Sequence, residues 1–150
     1  MVGCGQMGSA LLSRWLDQPN FSFTVVSPSG RIVPKSVKMV RSAKALQNIR
    51  FDLIVIAVKP QMITEILPAY TDLLAEDGCY LSIAAGFSTA SIEKLAGKAS
   101  LIRIMPNLPV QIGKGVSSLY ANRYATLQQR LLVEALMATT GQLVWAKAED

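Results

Sequence analysis

Three glycines near the amino end, Gly3, Gly5 and Gly8, form G-x-G-x-x-G within Met1-Val2-Gly3-Cys4-Gly5-Gln6-Met7-Gly8. At that spacing each has its own physical task. Gly3 permits a tight turn, Gly5 lets backbone approach a pyrophosphate, and Gly8 lets a helix pack close to a sheet. The start of the following helix then faces the phosphates. A second group is Ser27-Pro28-Ser29-Gly30-Arg31, in which Ser27 falls 19 residues after Gly8. An NAD-preferring site would place an acid there, on the ribose hydroxyls. The hydroxyls of Ser27 and Ser29 with the fork of Arg31 instead suit a 2′-phosphate, through charge-assisted hydrogen bonds. NADP(H) is therefore the preferred dinucleotide, with NAD(H) as the alternative. The chain has no histidine, which removes Ser-His-Asp and Cys-His nucleophiles and the usual His-ligated catalytic zinc. Cys4 and Cys79 lack metal-ligand spacing and read as small buried hydrophobes, so no metal is expected. No side chain is singled out as catalytic.

Those residues need elements to position them. Met7, Ala10, Leu11 and Trp15 fall on one face of a helix that ends at Asp17-Gln18-Pro19, and Phe21 to Val26 then reads as a strand. Glycine turn, helix and strand stand in the order a dinucleotide-binding unit requires. The strand leading into Gly3 is represented by Met1 and Val2 alone, so the first strand is expected to be truncated, with the sequence beginning several residues late. Helical spacing is read at Val37, Val40 and Ala43 or Lys44 onward. Phe51 to Val58 is a continuous apolar run that suits a strand covered on both faces. Met62 to Leu74 looks helical, with an interruption at Pro68. Further strands are expected at Cys79 to Ile83, Leu101 to Met105, Val116 to Tyr120 and Gln142 to Trp145. Ser88 or Thr89 is placed to cap a short helix through Leu95, and Thr126 to Thr139 is an amphipathic helix. Strands alternating with helices predict an α/β fold, a doubly wound, mostly parallel sheet of the Rossmann type. Residues 1–150 show neither repeats nor a second-domain linker.

A length of 150 residues, 51% of them apolar, is enough to bury a sizeable core. The run Leu53 to Val58 is far below the roughly 18 residues of a membrane span, and the start lacks a basic-then-apolar signal segment. A soluble, cytoplasmic protein is expected. The net charge of +5 is concentrated: Arg31, Lys35, Lys38, Arg41, Lys44 and Arg50 are six bases with no acid between residues 31 and 50. A nearly neutral body with one basic patch suits a compact anionic ligand better than nucleic acid. For the later members the competing reading is a solvated helix face, since Lys35, Lys38, Arg41 and Lys44 recur every third residue.

Four segments, G-C-G-Q-M-G, A-V-K-P-Q, S-I-A-A-G and R-I-M-P-N-L-P, stand in one order whose spacing resembles pyrroline-5-carboxylate reductase. The likeness runs from Gly3 to Glu149-Asp150 and covers the family's N-terminal dinucleotide-binding domain. The resemblance implies a further, all-helical domain, absent from this chain, that makes the homo-oligomer and supplies most of the substrate pocket. It also implies that Gly5, Gln6 and Met7 offer backbone contacts to the pyrophosphate, and that Ser27, Ser29 and Arg31 hold the adenosine phosphate. Ala57, Val58, Lys59 and Pro60 would line the adenosine and ribose side. Ala85 and Gly86 would lie beside the nicotinamide, with Met105, Pro106, Asn107 and Pro109 around its ribose and ring. From spacing alone Lys59 is a surface charge ending a strand and Asn107 a turn residue between two prolines, and those readings stay open. Many family members have an Asn shortly before the strand that leads to V-K-P, where this sequence offers Ser42 and Lys44, so no role is carried over there.

The reaction implied is hydride transfer from NAD(P)H to the cyclic C=N of 1-pyrroline-5-carboxylate, giving L-proline. An imine is readily protonated, so little acid catalysis is required of the protein, which suits a chain without histidine. The isolated 150 residues are expected to bind cofactor yet turn over poorly. Two alternatives are another two-domain NADP-dependent dehydrogenase and a non-catalytic NADP-binding module. Nucleic-acid binding is disfavoured because aromatics are not interleaved with the charges at residues 31 to 50.

Overall fold

The computed structural model describes residues 1–30 and 33–149. Helix α1 (Gln6–Trp15) follows the glycine turn, and strands β1 (Thr24–Val26) and β2 (Lys38–Val40) come next. Then follow β3 (Phe51–Ile56), α2 (Pro60–Ile66), β4 (Leu74–Ser82), α3 (Thr89–Ala96), β5 (Ser100–Met105), β6 (Gly115–Ala121), α4 (Leu127–Met137) and β7 (Gly141–Trp145). β1 pairs in parallel with β2, while β3, β4, β5, β6 and β7 form a five-stranded sheet in that order. The sheet is parallel except where β6 runs against β5.

Val2 joins the two sheets. It makes parallel bridges to both Val26 and Ile56. Its N–H donates to Val55 O at 2.8 Å and its carbonyl accepts from Ala57 N–H at 2.9 Å. On the other side the Met1 amine donates to Thr24 O, and Val26 and Gly3 N–H groups donate to Met1 O and Val26 O. Met1 to Gly3 are thus a central stub with β1 on one side and β3 on the other.

Side-chain alternation gives the sheet two cores. Val2, Val26, Ile54, Ile56, Tyr80 and Leu101 pack on one face with Ile63 of α2 and Ile92 of α3. Val55, Cys79, Leu81 and Ile102 pack on the other with Leu11 and Trp15 of α1 and Val133 and Met137 of α4. The doubly wound arrangement is therefore present. It thins at β6, whose alternate residues Val116 and Ser118 are exposed. The expected cap forms at Ser88, whose Oγ accepts from Ser91 N–H at 3.2 Å, and the structure adds a reciprocal capping box between Thr126 and Gln129 at the start of α4.

Two expectations are corrected. Residues 37–40 do not open a helix: 38–40 are β2, followed by a single 3₁₀ turn at Ala43–Leu46. The i, i+3 spacing of Val37 and Val40 is overridden by parallel pairing of Lys38, Met39 and Val40 with Thr24, Val25 and Val26, and a β-branched Val fits a strand better than a helix. The basic residues 35, 38, 41 and 44 therefore do not share a helix face. The strand expected at Phe21 to Val26 begins at Thr24. Phe21 and Phe23 instead stack at a centroid distance of 6.4 Å. They help line a cavity of about 670 Å³ between the starts of β1 and β3, with Trp15, Phe51 and Leu53.

No helix among the described residues is long and apolar enough to cross a membrane, and no disulfide links buried Cys4 and Cys79.

Candidate functional site

The ends of the parallel strands place the sequence motifs along one edge. At its centre Gly3 has φ +80°, and a Cβ built on it would lie 2.6 Å from Val58 Cγ1 and 2.8 Å from Ala57 O. A side chain at this position would therefore drive apart the glycine turn and the segment after β3. Gly8 is buried, with its built Cβ 3.3 Å from Ala57 Cβ, so α1 rests directly on the same segment. Gly5 behaves differently. It is the exposed N-cap of α1, makes no side-chain cap, and a Cβ there would meet nothing within 4 Å. The first amides of α1, at Gln6 and Met7, have no acceptor inside the helix. Open space over Gly5 beside unsatisfied N–H donors is what a pyrophosphate requires, and the first-turn residues fit that group.

At the end of β1, Ser27 is buried and Ser29 exposed, and their Oγ atoms are 3.2 Å apart. Gly30, at φ +66°, closes the turn by donating its N–H to Ser27 O at 3.0 Å. Arg31 lies outside the described residues. A cation that the helical reading of residues 37 onward did not single out does stand here: a Cβ on Gly30 would lie 3.3 Å from Arg41 Nη2. The alternation of Val37, Met39 and the residue after Val40 was the available signal, had this run been read as a strand.

Beyond β3, Ala57 and Val58 are half-buried against the glycine turn, while Lys59 is exposed and N-caps α2, with Pro60 at its first position. The ends of β4 and β5 lie side by side, with Ser82 paired to Arg103. Ile83 N–H donates to Ile56 O at 3.2 Å, which ties the end of β4 to that of β3. Ala85 and Gly86 are exposed, Gly86 at φ +73° with nothing near a built Cβ. Met105, Asn107 and Pro109 are exposed and Pro106 half-buried. Asn107 Oδ1 accepts the N–H of Val116 at 3.0 Å, so this side chain anchors the start of β6. The groups with clear pKa shifts lie elsewhere. Burial pushes the Cys79 thiol and the Tyr80 phenol up to about 12 and also raises Tyr70, and it pushes the Met1 amine down to about 5.

Residues 1–86 match the family model described as NADP oxidoreductase, coenzyme F420-dependent. The chain belongs to that family. Within this NADP oxidoreductase family it is similar over its length to pyrroline-5-carboxylate reductases. The enzyme of Vibrio alginolyticus is 33% identical over 158 residues, covering 99% of this chain and 57% of that protein. The structure of the Coxiella burnetii enzyme superposes with a TM-score of 0.83 at 26% identity, over 99% of this chain and 58% of that one. The NADP-bound Plasmodium falciparum enzyme gives 0.85 at 23% identity, over 97% and 56%. This chain spans a little over half the length of these proteins. The similarity continues past residue 86 through β5 and the segment after it, which carries Pro106 to Pro109.

Proposed function

We propose that residues 1–150 are the dinucleotide-binding domain of a pyrroline-5-carboxylate reductase, NAD(P)H-dependent and serving proline synthesis. The observation that carries this reading is the fit of the glycine turn against Ala57 and Val58, which brings the generic phosphate motif and the more specific A-V-K-P segment onto one wall. Gln6 and Met7 offer amides to the pyrophosphate across the open face of Gly5. Ser27 and Ser29, with Arg31, meet the adenosine phosphate and favour NADP(H) over NAD(H). Ala57, Val58, Lys59 and Pro60 border the ribose between them. Ala85 and Gly86 lie under the nicotinamide, and Met105, Pro106, Asn107 and Pro109 border its ribose and ring. The reduced nicotinamide supplies the hydride that converts the ring C=N of 1-pyrroline-5-carboxylate to the C–N bond of L-proline.

The chain's own contribution is position and orientation. Small residues at Ala85 and Gly86 leave room for one ring face, and none of the groups with shifted pKa values lines this edge. The exposed apolar side chains Met105, Leu108, Ile112 and Val116 follow the same edge. Their exposure supports a second, helical domain as the cover that excludes water, completes the substrate pocket and makes the oligomer. Two cysteines buried without a disulfide between them accord with a reducing, cytoplasmic setting.

Parallel titrations of NADPH and NADH into the 150-residue chain test the reading, with reduction of 1-pyrroline-5-carboxylate assayed alongside. Expected are saturable binding, tighter for NADPH, and little turnover. Absence of binding by either nucleotide would overturn the cofactor assignment. Turnover at the rate of two-domain relatives would overturn the need for a second domain.

A further inference from the structure

We infer that Arg41 is a cation for the adenosine 2′-phosphate and sets discrimination between NADP(H) and NAD(H); this rests on the dinucleotide reading above. Three observations lead to it. First, β2 lies beside β1 in parallel register with Val40 opposite Val26, and Ser27 N–H donates to Val40 O at 3.0 Å. The backbone therefore delivers Arg41 to the same corner as the serine turn. Second, its guanidinium lies against that turn: a Cβ built on Gly30 would be 3.3 Å from Nη2, 3.7 Å from Cζ and 3.8 Å from Nε. Gly30 is the turn residue with no side chain, so the planar group approaches backbone that any larger residue would cover.

Third, no ion pair among the described residues uses this charge. The ion pairs of the described residues are Arg14 with Asp17 and Arg103 with Glu149. Arg41 is exposed, and the sequence from 31 to 50 contains no acid to compete for it. A guanidinium with free donors, two hydroxyls 3.2 Å apart and no nearby carboxylate in sequence form a receptor for a phosphate monoester rather than for a ribose diol. A diol would be held best by a carboxylate, and residues 31–50 contain none.

A flat guanidinium could equally stack on the adenine ring. The two roles differ in what they do to NADH, which carries the same adenine without the 2′-phosphate. The experiment is isothermal titration of NADPH, NADH, 2′-AMP and 5′-AMP into wild type, Arg41→Ala and Arg41→Lys. For Arg41→Ala, NADPH and 2′-AMP are expected to weaken by roughly ten- to hundredfold. NADH and 5′-AMP should change less than about threefold, and Arg41→Lys should recover part of the loss. Unaltered melting temperature is expected, since the side chain is exposed. An equal loss for NADPH and NADH would assign Arg41 to the adenine and overturn the phosphate role. So would unchanged affinity for every ligand. If wild type bound neither dinucleotide, the proposed function would fall, while 2′-AMP against 5′-AMP would still decide Arg41: no preference for 2′-AMP in wild type overturns it.

Discussion

Glu149 holds Arg103 across 46 residues of sequence, with Oε1 3.0 Å from Nη1. The same carboxylate accepts the Thr89 N–H at 2.6 Å and the Thr89 hydroxyl at 2.7 Å. One acid thus ties the segment after β7 to the first residue of α3 and to the middle of β5. Both charged side chains are about 15% exposed, so each would be costly to leave unpaired. Glu149→Gln should lower stability by about 2–3 kcal/mol, read as a shift in urea midpoint at constant m-value. A change below about 0.5 kcal/mol would show that the bond is screened by solvent after all.

The glycines predict a division between folding and binding. Gly3→Ala forces a Cβ against Val58 and Ala57 O at a left-handed φ, and should cost about 2–4 kcal/mol. Gly5→Ala adds a Cβ into open space. It should cost less than about 1 kcal/mol of stability while reducing dinucleotide affinity at least about tenfold, because the methyl occupies the pyrophosphate's approach. Thermal melts with and without NADPH separate the two effects. Equal loss of melting temperature in both variants would contradict the assignment.

Stability should depend on pH through the Met1 amine. Its pKa is pushed from 8.0 down to about 5, chiefly by desolvation, with the neighbouring Cys4 opposing. The unfolded chain therefore binds a proton between pH 5 and 8 that the folded chain does not. Stability from this group is complete above pH 8 and falls as pH drops toward 5, by an amount on the order of 2–4 kcal/mol. Urea unfolding at pH 5.5 and 8.0 measures the slope. Acetylation of the amine should flatten it, and a slope of opposite sign would exclude this origin.

Gln129 offers a test of packing at the sheet's far end. It closes the capping box of α4 and also donates Nε2 to Asp77 O and Gly78 O, at 2.8 and 3.1 Å. Gln129→Leu should cost about 2–3 kcal/mol, because the carbonyls before the buried part of β4 lose their donor. Hydrogen exchange should quicken at Thr126 to Gln129 and at Gly78 together. Quickening at the helix alone would show that the link to β4 contributes nothing.

What could be read from the sequence was what local chemistry decides. The glycine turn, the Ser88 cap and the strand at Phe51 each follow from neighbouring residues. Residues 37–40 were illegible because, in so short a window, helical spacing and strand pairing both fit Val37 and Val40, and the tie was broken by β1, more than ten residues away. Arg41 was legible as one of six bases in the patch at residues 31–50, but its place beside Gly30 exists only once β2 pairs with β1. The reversal of β6 and the reach of Glu149 to Thr89 are likewise long-range. Of the candidate site, the fit of Gly3 to Ala57 and Val58 was legible as a motif order. The role of Asn107 in anchoring Val116 was not.

The stub at Val2 has a mechanical consequence. The lobe carrying Ser27, Ser29 and Arg41 meets the lobe carrying Ala85 and Met105 along a seam stitched by a handful of amides from three consecutive residues. The seam lies at the join of the two sheets, and its amides should exchange with deuterium sooner than the interior of β4. Any molecule long enough to touch both lobes at once would act as a suture, so that slower exchange at Val26 and Ile56 reports engagement at either end.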